Sequence, residues 1–306
     1  MNKIINKLNQ LEIEIKENIN LSKSKNTLRA YRSDFIDFEN FCKKFNFSSM
    51  PTNPRIVGLY LSNLSSEFKF STLKRRLSSI NVIHKLKGHY FDTKHPLIKE
   101  NLIGIKRKIG TYQNGKKPLL YNDIINIIDF INLENVNKNL LNIRDKAIIL
   151  IGFAGGFRRS ELSALEIENL DFVQEGVKIK IKFSKTDQFG EGFVKAIPYF
   201  KKYDYCPVLA LKKWIKVRKN EKKTIFQCSD KLISLIIKKY VKAIGLNEKH
   251  YSGHSLRSGF ATSTAVSGAD ERSIMAMTGH KSAEMVRRYI KEANLFKNNP
   301  LNKLNN

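Results

Sequence analysis

The chain has 306 residues, with 55 Lys plus Arg against 28 Asp plus Glu and a formal net charge of +27 at pH 7. A folded protein that carries this much self-repulsion is matched to a polyanion, nucleic acid first among them, and a hydrophobic content of 42 % excludes general disorder. The longest apolar run, residues 147–157, is too short to span a membrane, and an opening segment that soon meets Glu12, Glu14 and Glu17 is not a signal peptide.

The first third reads as a helical bundle. Leu28, Tyr31, Phe35, Phe38 and Cys42 step by three and four and form one apolar stripe behind polar Ser24–Thr27. Asn53-Pro54 opens a second helix with Val57, Tyr60, Leu61 and Leu64 on one face. Ser71-Thr72 opens a third with Leu73, Leu77 and Ile80, and His95-Pro96 a fourth with Leu97, Ile98, Leu102 and Ile105. The bundle is expected to begin near residue 15 and to form one small domain, residues 1–108. The stretch from Lys106-Arg107-Lys108 to Pro118 is glycine-containing and basic, without apolar periodicity, which predicts a linker over 109–118 able to lie along phosphates. It spells G-x-x-x-x-G-K from Gly110 to Lys116, but Lys117 stands where a magnesium-binding Ser or Thr belongs, and no strand precedes it.

Residues 119–306 read as a second domain. Helices are expected at 121–133 and 143–155, then two antiparallel strands at 177–183 and 193–199 around a polar turn, then helices at 206–218, 231–244, 254–266, 271–277 and 283–290. The fold class is thus mainly α with a small antiparallel sheet. Cys42, Cys206 and Cys228 are an odd, widely spaced set without metal-ligand spacing and fit a reducing cytoplasm.

Four segments carry chemistry. Gly155-Gly156-Phe157-Arg158-Arg159-Ser160-Glu161 ends an apolar helix and opens the next with an arginine that Glu161 can fix. Lys185 sits at the hairpin tip. His254 and Arg257 are three apart, on one helical face, and can bind one anion. His250 and His254 have zinc-helix spacing, but Tyr251 occupies the position of the glutamate base and Gly253 weakens a helix there. His280 follows a glycine, and Tyr289 lies four after Met285 on an apolar helix face. Taken singly, each reads equally as a helix boundary, an exposed lysine, a capping histidine or a core tyrosine. Taken together, two arginines, a lysine, two histidines and a tyrosine suit a phosphodiester.

The series G-F-R-R-S-E-L, S-K-T-D, G-H-S-L-R-S-G-F-A-T and T-G-H followed by Tyr289, in that order, resembles the tyrosine recombinase family, that of the phage integrases and Xer recombinases. The likeness covers about residues 15–292. It implies an N-terminal helical core-binding (SAM-like) domain and an α+β catalytic domain. Arg158 and Arg257 would clamp the scissile phosphate, with Lys185 as the hairpin lysine, His254 and His280 as the two histidines, Tyr289 as nucleophile and Glu161 supporting the first arginine. Gly155 stands where a threonine is frequent, and Ser258 where a histidine often follows the second arginine.

The expected activity is site-specific DNA cleavage and rejoining through a 3′-phosphotyrosyl link, for integration, excision, inversion or resolution, with a lean towards mobile elements. Guanidiniums would hold the non-bridging oxygens, a base such as His254 would help the tyrosine, and Lys185 would protonate the leaving 5′-oxygen. No cofactor and no metal are expected. Double-stranded DNA would be met by Lys25, Arg29, Lys74, Arg75, Lys106, Arg107 and Lys108. The resemblance implies a homotetramer on two sites, with the tail after Ile290 docking on a neighbour and room for accessory directionality factors; the location would be cytoplasmic and nucleoid-associated, away from membranes. A type IB topoisomerase-like nicking enzyme and a non-enzymatic DNA-binding protein are the alternatives.

Overall fold

The computed structural model describes residues 2–111, 115–133, 139–182, 192–218, 223–280, 282–293 and 300–303. The chain divides into two compact units, Met1–Asn114 and Gly115–Asn306.

The first unit holds α1 (Asn2–Leu21), α2 (Lys25–Lys44), α3 (Pro54–Leu64), α4 (Phe70–Leu86) and α5 (Pro96–Ile109). The caps act as the sequence predicts at α2 and α3, where Ser24 accepts from Thr27 N–H and Asn53 from Ile56 N–H, with Pro54 in the first turn. The apolar stripes meet in one core around Phe38, Val57, Tyr60, Leu61, Leu73, Ile80 and Ile98. Three expectations need correction. A helix not foreseen in the sequence, α1, runs over Asn2–Leu21 ahead of the bundle's core, with Ile5, Leu8, Leu11 and Ile15 exposed. The cue Ser71-Thr72 lies inside α4, which opens at Phe70 after Lys69. Lys106, Arg107 and Lys108 form the last turn of α5, where cations complement the helix dipole, so they do not belong to the irregular linker.

The second unit holds α6 (Tyr121–Leu133), α7 (Leu140–Ala154), α8 (Arg159–Ser163), strands β1 (Leu170–Val173), β2 (Gly176–Ile181) and β3 (Phe193–Pro198), then α9 (Pro207–Val217), α10 (Asp230–Ala243), α11 (His254–Val266), α12 (Glu271–Thr278) and α13 (Ala283–Ala293). The sheet has order β1-β2-β3, antiparallel throughout, with Val177 opposite Ile197 and Ile179 opposite Lys195. It gains one strand over the expected hairpin, since four-residue β1 is too short to announce itself by alternation. Helix α7 is buried on nearly all sides from Ala147 to Phe153, which explains the unbroken apolar run. Residues 116–119 are bonded along this unit, Lys117 N–H to His250 O at 2.8 Å and Leu119 N–H to Ser255 O at 3.0 Å. The backbone of Leu119 passes so close to α11 that a Cβ at Gly259 would lie 1.7 Å from its carbonyl oxygen. Cys42, Cys206 and Cys228 are free thiols. No helix among the described residues is long and apolar enough to cross a membrane.

Candidate active site

Two chain reversals and the first turns of α11 deliver the site in the second unit. Helix α7 ends at Gly155, and Gly156 takes a left-handed conformation (φ 53°) with Phe260 and Thr278 packed where a side chain would go. Phe157 then turns into the core, and Arg158 caps α8. Glu161, 5 % exposed, accepts from the Arg158 backbone N–H at 3.0 Å and from its Nη1 at 2.5 Å, so one carboxylate fixes both the turn and the guanidinium. The Arg158 Nη2 also reaches the Gly279 carbonyl at 3.4 Å.

Helix α11 contributes His254, exposed in its first turn, and Arg257, which is 1 % exposed. Arg257 Nη1 donates to the Gly156 carbonyl at 2.9 Å, while among the described residues its buried Nε and Nη2 find no hydrogen-bond partner. Two unmet guanidinium donors in a buried place mark where an oxyanion belongs. Burial first, then the charge of Arg158, brings its pKa down to about 10, with Glu161 and Tyr289 opposing the fall.

Helix α12 stops at Thr278; Gly279, left-handed at φ 64°, reverses the chain into His280. The Thr278 hydroxyl donates to the Ile274 carbonyl at 2.6 Å and therefore accepts from His280 Nδ1–H at 2.8 Å, which leaves Nε2 as the lone-pair nitrogen. Desolvation, then Arg257, Arg158, His254 and Lys195, push the imidazole pKa from 6.5 down to about 3, so His280 is neutral at physiological pH. The His280 and Tyr289 rings lie 6.3 Å apart, with Tyr289 half-buried on α13 against the small core of Ala261, Ala265, Ile274 and Val286.

The shift of His280 sets a pH prediction. The unfolded chain binds the proton that the folded chain refuses, so this contribution to stability is complete above about pH 6.5 and is lost as pH falls towards 3. The unfolding temperature is expected to drop over that window, and His280→Asn to show a shallower drop; equal slopes would contradict the assignment.

The structure thus brings together Arg158, Glu161, His254, Arg257, His280 and Tyr289, from three of the four segments. Lys185 lies outside the described residues. His250 sits in a short 3-10 turn and His254 begins α11, so the zinc-like spacing does not fall on one helix. In the first unit Lys25, Arg29, Lys74, Lys106, Arg107 and Lys108 are exposed, while Arg75 pairs with Asp34. Two residues escaped sequence reasoning. Thr278 carries no signal beyond its place before Gly279. Lys195 does carry one, since on β3 it shares the inward phase with Ile197.

A family model described as the phage integrase family matches residues 120–295. An integrase/recombinase XerD homolog of Selenomonas ruminantium is 38 % identical over 97 % of this chain and 90 % of its own length. A tyrosine recombinase XerC of Thermodesulfovibrio yellowstonii is 28 % identical over 87 % of this chain and 85 % of its own. Among solved structures, the XerH site-specific recombinase in a post-cleavage complex with palindromic difH substrate is similar in fold, with TM-score 0.62 and 18 % identity over 85 % of this chain and 76 % of that one. A lambda integrase dimer bound to a COC′ core site gives TM-score 0.60 and 17 % identity over 91 % and 93 %. With the family matched over more than half its length and a relative aligned almost end to end, the chain belongs to the phage integrase family and is a tyrosine site-specific recombinase.

Proposed function

We propose that this recombinase cuts duplex DNA with Tyr289 and rejoins it to a different strand, and that Arg257 is the observation that carries the assignment of residues. Its two unmet buried donors, beside a guanidinium already aligned by Glu161, suit the non-bridging oxygens of a phosphodiester. Tyr289 Oη attacks phosphorus and gives its proton to a histidine. His254, exposed in the first turn of α11, suits that role, since burial and the charges of Arg257 and Arg158 make His280, next to the Tyr289 ring, a poor proton acceptor. The P–O5′ bond breaks as the P–O(Tyr) bond forms, and Lys185 supplies the proton that the 5′-oxygen takes. Attack by a 5′-hydroxyl of another strand reverses these steps and frees Tyr289. One phosphate ester replaces another each time, so the cycle closes without an external energy source.

The net charge of +27 supplies affinity through many phosphate contacts, and Lys25, Arg29, Lys74 and the basic last turn of α5 are the surfaces offered to DNA by the first unit. Exchange between two sites requires four tyrosines, hence a homotetramer on DNA, with the tail after Ile290 as the element that docks on a neighbour. Similarity in fold to DNA-bound XerH and lambda integrase supports DNA as substrate. The work is integration, excision, inversion or resolution, with a mobile element the favoured context. A plasmid carrying two copies of its site is expected to yield recombinant circles in the presence of the protein. Relaxed circles alone would return the reading to a topoisomerase-like enzyme.

A further inference from the structure

Strand β3 turns Lys195 and Ile197 inward. The lysine is fully buried, and its ammonium lies 4.8 Å from the centre of the Phe157 ring and 5.2 Å from that of Phe193. Among the described residues it bonds to no carboxylate oxygen. Nζ donates to the Gly155 carbonyl at 2.6 Å and to the Met277 carbonyl. Gly155 is three residues before Arg158, and Met277 three before His280. Each carbonyl sits at the end of the helix from which the chain reverses, into Arg158 in one case and His280 in the other.

Burial of this cation runs against its electrostatics. Desolvation brings its pKa to about 7, Arg257 and Arg158 push the same way, and Glu161 opposes them. An apolar side chain of the same length would fill the space between the two rings at lower cost, but it could not hold two carbonyls. The distinctive feature of Lys195 is therefore that one atom joins β3 to both reversals. The strand is also one arm of the hairpin whose connecting segment carries Lys185.

We propose that Lys195 is a positioning residue for DNA cleavage: by tying the Gly155 and Met277 carbonyls to β3, it holds Arg158 and His280 in register with each other and with the hairpin. Without the tie, the two reversals settle independently, and displacements of the order of 1 Å at such sites cost about 10²-fold in rate.

The test uses a nicked duplex captured covalently by the wild-type protein from a random-sequence pool. Tyr289→Phe, run in parallel, separates failure of the reaction from failure of this inference. Lys195→Met is expected to bind the duplex with a Kd within about threefold of wild type, to unfold at no lower temperature, and to form adduct at saturating DNA about 10–100-fold more slowly. Because it acts partly through His280, adding Lys195→Met to His280→Asn is expected to cost less than Lys195→Met costs alone, whereas a residue that only fills the core gives multiplicative losses. Should Lys195→Met fail to fold, Lys195→Gln, whose amide N–H groups sit on a shorter stem and cannot span both carbonyls as the ammonium does, decides by the same pair of numbers, with about a tenfold loss at unchanged Kd. An adduct rate within threefold of wild type, a loss lying entirely in Kd, or full multiplicativity with His280→Asn overturns the proposal.

Discussion

Arg257→Met is expected to slow covalent adduct formation by about 10²–10³ while leaving the unfolding temperature at or above that of the wild type. The two effects have opposite sign for one reason. In the free protein Arg257 is a buried cation whose Nε and Nη2 lack partners among the described residues, so it weighs against the fold. Its hydrogen bond to the Gly156 carbonyl offsets only part of that cost. An apolar side chain of similar length removes the desolvation penalty and keeps the packing of α11. On DNA the same unmet donors become the clamp for charge that grows on the phosphate oxygens, which the methionine cannot replace. Binding is expected to change by less than about threefold, because affinity is spread over many phosphate contacts. Arg257→Lys does not restore the rate, since a point charge cannot make the forked pair of bonds. Single-turnover adduct formation and calorimetry on the same preparations check both halves; a variant that cleaves normally, or one that melts far below wild type, contradicts the account.

Glu161→Ala is expected to lose in both respects, with stability falling by about 3–5 kcal/mol and cleavage falling as well. The carboxylate is almost wholly enclosed, its side chain 1 % exposed, and it accepts from two groups of the same arginine, whose own side chain is 16 % exposed. Its removal takes away the counter-charge at a place where Arg158, Arg257 and Lys195 all gather, and it releases the first turn of α8. Glu161→Gln keeps an oxygen for the Arg158 backbone N–H and is expected to fall between the two. Denaturant unfolding measures the effect, and a cost below about 1 kcal/mol for Glu161→Ala would remove Glu161 from its supporting place.

Much of this arrangement is legible in the sequence where one interaction dominates. Three- and four-residue apolar spacing forecasts α2 and α3 because each buries a single stripe, and Ser24 and Asn53 mark helix starts because a side-chain oxygen meets a backbone N–H nearby. The site residues are legible as an ordered inventory, since guanidinium, imidazole and phenol suit one kind of substrate. The features that failed to announce themselves depend on partners remote in sequence. Helix α1 leaves its apolar residues exposed, so its pattern has no core to match. Strand β1 is defined by pairing with β2, and the last turn of α5 looks like linker because its residues are basic, although Ile105 continues the buried stripe. Lys195 is the instructive case. Alternation on β3 places it inward, but only the reversals at Gly155 and Met277, one far upstream and the other far downstream, give its ammonium something to hold.

Covalent capture tests the central claim most directly. Wild-type protein and Tyr289→Phe are incubated with a nicked random-sequence duplex pool, and adducts that resist SDS are digested and mapped by mass spectrometry. The account predicts an adduct with the wild type alone, carried on Tyr289 through a 3′-phosphate, with recovered duplexes that converge on one sequence. An adduct on another residue, or one that persists in Tyr289→Phe, would contradict it.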